Sequence, residues 1–202
     1  MSEEKSSSFE ARCGVIIAIF AAIMAVNDLV AGKYGDDEII GTNDKAAAYM
    51  WYQSKSIKET LVDGERSLLE SLQTAGAIKP GAEKAIDEHI VSLRMKSARY
   101  KKEKNEILKG SQQVGKDNWV QDLNGELGKI IGAQEIENHL SVLAKAGDRF
   151  DLSSLFFQLC LVLGALSLIL KKQSLQHLFF SGMCILGTMG LGLSLWTLYV
   201  IT

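Results

Sequence analysis

The sequence predicts an all-α membrane protein: three transmembrane helices, with an elongated, coiled-coil-like helical hairpin or bundle between the first and the second. Three observations predict it. Residues 152–202 hold two apolar runs parted by one short basic turn, the pattern of a transmembrane hairpin. Residues 13–31 form a third apolar run. The intervening stretch, residues 33–150, holds 18 of the 22 lysines and arginines and 19 of the 24 aspartates and glutamates, with apolar residues at helical spacing.

The C-terminal hairpin is the firmest element. Ser154 to Leu170 is 17 residues without a charge, and Leu178 to Thr202 is 25 more. At ~1.5 Å per residue these reach roughly 26 Å and 37 Å, against a bilayer core of ~30 Å. The first is near the short limit and draws on flanking residues, and the second is long enough to tilt. Backbone groups in lipid must be paired internally, so both runs are expected as helices, over residues 152–170 and 178–202. The turn 171–177 between them carries Lys171 and Lys172. Two buried helices of a soluble protein are the alternative, but such runs side by side need a much larger protein to cover them.

At the other end, residues 1–12 form a polar tail with Lys5 and Arg12 as its positive charges. The run 13–31, CGVIIAIFAAIMAVNDLVA, has the length of a secretory signal. The tail is acidic as well as basic, however, and no small-x-small cleavage site follows, so an uncleaved anchor is expected. Tail and Lys171–Lys172 turn then share one side of the membrane. Their positive bias puts them in the cytoplasm. The helical middle and the C-terminus fall outside, which for a bacterial inner membrane means the periplasm. Lys33 and Arg149 lie close to the membrane on the outer side and argue for the reverse orientation.

Composition narrows the function. The chain is 47% hydrophobic and 23% charged. The charges of residues 33–150 nearly cancel, 18 positive against 19 negative, which gives no reason to expect nucleic acid as a partner. Cys13, Cys160 and Cys184 all sit in apolar runs, so no disulfide framework or zinc site is expected in the polar middle.

Within that middle, Met50, Ser54, Ile57, Leu61, Gly64, Leu68, Ser71 and Ala75 follow a 4–3 spacing, a coiled-coil-like seam with weak positions. Gly76 and Lys79-Pro80-Gly81 break the helix. A second helix is expected from about Ala82 to Lys109, with Ile86, Ile90, Leu93, Ser97, Tyr100 and Ile107 on one face and the charged run Arg99 to Lys104 on the opposite faces. After a turn at Gly110 to Gly115, a third helical stretch runs from about Asn118 to Ala146, with Leu123, Leu127, Ile130, Ile131, Leu140 and Leu143 inward. Gly125, Gly128 and Gly132 either allow close helix contact or mark an irregular segment. Thin apolar seams on long helices complete their burial against a second copy, so a homo-oligomer is expected.

The stretch Asn43 to Lys58, NDKAAAYMWYQSKSIK, carries a resemblance. Its cluster Tyr49, Trp51, Tyr52, followed by Gln53, Ser54, Lys55, Ser56, Ile57 and Lys58, resembles the signature of an uncharacterised bacterial membrane family, domain of unknown function 4337. The layout of one N-terminal span, a long helical middle and two C-terminal spans is similar as well. The family pattern has tryptophan two places earlier, where this chain has Tyr49, and Trp51 stands at a tyrosine position. The resemblance implies a bacterial inner-membrane location and this fold, and nothing catalytic. Read from the residues themselves, the aromatics either pack near the membrane or form a subunit contact.

No catalytic constellation is present in the sequence, and no enzyme activity, cofactor or metal is expected. His89, His139 and His177 are far apart, and no phosphate loop, nucleophile elbow or HExxH motif occurs. The notable ionisable residue is Asp28, beside Asn27, late in the first span. It shares a helix face with Gly14, Ala18, Ala21 and Ala25, a small-residue face suited to helix contact in lipid. An intramembrane acid points to a polar path, with Asn27 and Gln158 as further members. Its bland alternative is an interfacial pair meeting headgroup water. Gly187, Gly190 and Ser194 give the third span a packing face of its own. Three functions compete. The first is a self-assembling structural or scaffold protein in contact with membrane lipid. The second is an oligomeric channel or transporter component with Asp28 near its pathway. The third is a membrane sensor or accessory subunit, ranked last because no output domain follows.

Overall fold

The computed structural model describes residues 2–201, with side chains from Phe9 onward. Met1, Thr202 and the Lys5 side chain, which belong to the expected tail and third span, lie outside the described residues. Helix α1 covers Ser2–Thr74, α2 Glu83–Lys109, the short α3 Ser111–Val114, α4 Ala133–Ile169 and α5 Gln173–Ile201. Strands β1 (Asp122–Leu123) and β2 (Glu126–Leu127) form one small antiparallel hairpin. The contacts divide into two units, residues 1–39 with 141–202, and residues 40–140. Helix α1 is unbroken through Gly32 and Gly35, where nothing packs within 4 Å. Each glycine costs only about 1 kcal/mol relative to alanine, less than an interrupted hydrogen-bond ladder.

The first unit is a bundle of three helices, each long and apolar enough to cross a membrane, and the protein is a multi-pass membrane protein. Helices α1 and α5 begin at the end where α4 finishes. There Phe9 meets His177 and Phe180 edge-on, at 5.2 and 5.5 Å between ring centroids, and the Cys13 thiol lies 2.9 Å from Ser167 Oγ. At the opposite end Tyr34 stacks on Phe150 and the Arg149 guanidinium lies 4.5 Å from the Trp196 ring centre. Cys13, Phe20, Phe157, Cys160 and Met183 form the core between them. The turn is tighter than residues 171–177. Helix α4 ends at Ile169, α5 starts at Gln173, and Gln176 Nε2 donates to the Leu170 carbonyl at 2.6 Å.

Lipid tails are as apolar as leucine, so close packing and hydrogen bonds hold such a bundle. Glycine supplies the packing. A side chain at Gly187 would collide with the Phe20 ring, and one at Gly164 would meet Met183 Sδ at 2.6 Å and Ile17 Cγ1 at 2.7 Å. Serine supplies polar contacts between helices: Ser153 Oγ donates to the Gly190 carbonyl at 2.7 Å, and Ser167 Oγ, bonded to the Gly164 carbonyl of its own helix, meets the Cys13 thiol.

The second unit is an antiparallel helical hairpin closed by a loop and the start of α4. Residues 40–74 of α1 return as α2 through a turn in which Gly76 and Gly81 take φ of 66° and 92°, conformations glycine adopts without steric cost. Lys55 pairs with Glu103, Glu59 with Lys104, Glu65 with His89 and Glu70 with Arg94. On α2 the residues Ile90, Leu93, Ser97 and Ile107 are buried, and Ile86 and Tyr100 are half-buried.

Two expectations fail here. The seam of Met50, Ile57, Leu61 and Leu68 does not close the hairpin, because these residues are 66, 54, 67 and 60% exposed. The face turned inward is a second 4–3 row on the other side of the helix, Lys55, Glu59, Val62, Arg66 and Leu69, where charge pairing replaces apolar burial. The helix expected over residues 118–146 is also absent before Ala133. Asn124-Gly125 forms the two-residue turn of the β hairpin, with φ of 56° and 86°, the backbone that this dipeptide favours. Leu123, Leu127 and Ile131 are consequently exposed, while Ile130, Leu140 and Leu143 are buried. Of the two readings left for Gly125, Gly128 and Gly132, all three glycines lie in the irregular segment.

Candidate functional site

Two polar centres stand out, one in each unit. The first is a set of buried carboxylates in the hairpin. Glu103 is 2% exposed, with Lys55 Nζ at 2.7 Å and Arg99 Nε at 2.8 Å. Glu59 pairs with Lys104, whose ammonium also lies 5.5 Å from the centre of the Tyr52 ring. The run Arg99 to Lys104, expected on the outer faces, thus sends Glu103 inward. The apolar face of α2 skips one turn between Tyr100 and Ile107, and that gap was the signal for it.

One turn later Glu106 is fully buried and organises the loop that follows. It accepts from Ser111 Oγ at 2.7 Å and from the backbone amides of Val120 and Gln121, each at 2.8 Å. Ser111 extends this clasp. Its hydroxyl accepts from the Ile130 amide at 3.0 Å, and its carbonyl accepts from Trp119 Nε1 at 2.7 Å. Every oxygen is used within the chain, so Glu106 is a structural carboxylate. Nothing in the spacing of residues 106–130 announces it.

The second centre lies at the Arg149 end of the membrane bundle. Asn27 is 3% exposed, and its amide donates to the Phe150 carbonyl at 3.2 Å and to Ser154 Oγ at 2.8 Å. Asn27 Oδ1 has no hydrogen-bond partner among the described residues. Ser154 Oγ in turn donates to Asp28 Oδ1 at 2.5 Å. Asp28 faces a cavity of about 450 Å³, which Glu38, Asp148 and Asp151 also line. Gly32, Gly35 and Gly147 leave the space for it. Among the described residues no group of three His, Cys, Asp or Glu side chains is arranged to hold a metal ion.

The other singled-out residues are placed as follows. Gln158 is exposed on α4, one turn beyond Ser154, and takes no part in the hydrogen bonds that join Ser154 to Asn27 and Asp28. Gly14, Ala18 and Ala25 are exposed and Ala21 is half-buried, because α1 meets its neighbours through Cys13, Phe20 and Asn27. Gly187 and Gly190 are buried under Phe20 and against Phe157, and Ser194 is buried near them on the same face of α5. Tyr49 is exposed and its hydroxyl donates to Glu137 at 3.4 Å, while Trp51 and Tyr52 are half-buried.

No curated protein and no solved structure matches the chain. The family described as Domain of unknown function (DUF4337) matches residues 9–200, nearly the whole sequence, and the chain belongs to that family.

Proposed function

We propose that the protein is a self-assembling structural component of a bacterial inner membrane, with no catalytic role. The observation that carries this reading is the stripe Met50, Ile57, Leu61 and Leu68 on α1, at 7–4–7 spacing and more than half exposed throughout. An apolar stripe at that spacing, on a helix whose opposite side is already occupied by α2, suits a second copy of itself. Leu61→Glu tests it. The mass of the gently extracted complex should fall to that of one chain, and an unchanged mass defeats the proposal.

In this reading the tail and the Lys171–Lys172 turn are cytoplasmic, and the hairpin and C-terminus periplasmic. Arg12, Lys171 and Lys172 gathered at one end of the bundle support it, since such charge is retained in the cytoplasm. Single cysteines placed at Gln112 and at Lys172 should differ in labelling by a membrane-impermeant maleimide on spheroplasts. Labelling of Lys172→Cys alone would reverse the orientation.

The acidic cavity beside Asp28 favours a second reading, cation passage through an assembled ring. Reconstituted vesicles should then lose cation flux with Asp28→Asn, and equal flux in both proteins ends that reading.

A further inference from the structure

We infer that the opposite end of the membrane bundle binds one anionic phospholipid, its phosphate held between Arg12 and Lys171 and its acyl chain laid along α1 against Phe180. Two cavities meet there. One, of about 730 Å³, is lined by Arg12, Lys171, Gln173, Gln176 and His177 together with Glu10, with Phe9 and the apolar residues 168–170 completing its wall. The other, of about 520 Å³, is an apolar groove between Ala11, Val15, Ile16 and Phe180. Arg12 lines both.

The order of polarity is the same on both helices. Along α1 the lining passes from Glu10 and Arg12 to Val15 and Ile16. Along α5 it passes from Gln173, Gln176 and His177 to Phe180. A molecule filling both spaces therefore has a polar head and an apolar tail, entering the bundle in the direction a lipid of that leaflet does.

Charge selects the head. The cavity lining carries two fixed positive charges, Arg12 and Lys171, against one negative, Glu10, which leaves one positive charge in surplus. Neither Arg12, Lys171 nor Lys172 forms an ion pair among the described residues. A phosphodiester without a neighbouring ammonium matches this surplus, and the guanidinium fork fits two phosphate oxygens. Zwitterionic lipid brings its own cation and gains less. The Gln176 amide is committed to the Leu170 carbonyl at 2.6 Å, so it fixes the turn that carries Lys171.

The test uses the full chain in nanodiscs of equal phosphatidylglycerol and phosphatidylcholine, with retained lipid identified by native mass spectrometry. Phosphatidylglycerol should be enriched, and Arg12→Gln and Lys171→Gln should each lower that enrichment about fivefold, the equivalent of about 1 kcal/mol per basic residue near a membrane surface. Val15→Trp, which fills the groove, should reduce retained lipid without altering charge. Lys33→Gln, at the other end of the first span, should change nothing. Equal retention of the two lipids overturns the inference. So does a Lys33→Gln loss as large as that of Arg12→Gln, which means a diffuse surface effect. Displacement by soluble glycerol 3-phosphate as readily as by lipid overturns the acyl-chain half. Unchanged melting temperatures of the glutamine variants keep misfolding apart from lost binding.

Discussion

The Phe20 ring occupies the space that a side chain at Gly187 would need. This contact joins the first span to the third and removes the choice of residue at both positions. Gly187→Leu should destabilise the extracted bundle by about 1–3 kcal/mol, the usual effect of overpacking. Phe20→Ala leaves a cavity and should cost about 3 kcal/mol. Combined, the two changes should cost clearly less than their sum, read from thermal melts in one detergent. Strict additivity would mean that the residues do not compete for one space.

Glu106 predicts a local effect. Glu106→Ala strips the acceptor from Ser111 and from the amides of Val120 and Gln121. A buried donor without a partner costs about 1–3 kcal/mol, so the loss should be about 3 kcal/mol or more. Hydrogen exchange should accelerate first at residues 111–121. Uniform acceleration along α2 would show the clasp to be no local unit.

Lys55 and Glu103 predict a pattern across variants. Lys55→Met leaves a buried carboxylate with only the exposed Arg99 beside it, and should cost about 3 kcal/mol. Lys55→Met with Glu103→Leu should recover most of that, because the desolvated charge is gone. Urea unfolding followed by circular dichroism separates the two outcomes, and a double variant weaker than the single one contradicts the argument.

Glycines at two places should respond with opposite sign. Gly125 holds φ at 86° in the β turn, so Gly125→Ala should lose about 1 kcal/mol. Gly64 is helical, exposed and touches nothing within 4 Å, so Gly64→Ala should gain up to about 1 kcal/mol. Melting temperatures moving in the same direction would refute this.

How much of this was legible follows from the kind of signal each element leaves. The spans were plain because lipid admits few charges and no unpaired backbone, and among the runs around Phe20, Phe157 and Met183 the only charged residue is Asp28, late in the first. The break at Pro80-Gly81 was plain because proline and glycine end a helix locally. The inward face of α1 was not. Leu61 and Leu68 outrank Glu59 and Arg66 on any apolar scale, yet the latter face α2, since Glu59 is paired with Lys104 of α2 and Arg66 with Asp63 and Glu70 of its own helix. Asn124-Gly125 was a turn signal present in the sequence but overridden by the apolar spacing on either side. The Asn27–Ser154–Asp28 chain joins residues more than 120 positions apart, and only packing brings them together.

Charge on the inner row of the hairpin also acts as a proof-reader during folding. Sliding α2 along α1 by one turn would carry Glu103 from Lys55 toward Glu59, four residues on, and set two carboxylates against each other out of water. Leucines in those places would accept the slipped alignment almost as well as the native one. The ion pairs make the error expensive, so the hairpin closes in one registration and presents its outer stripe in one place.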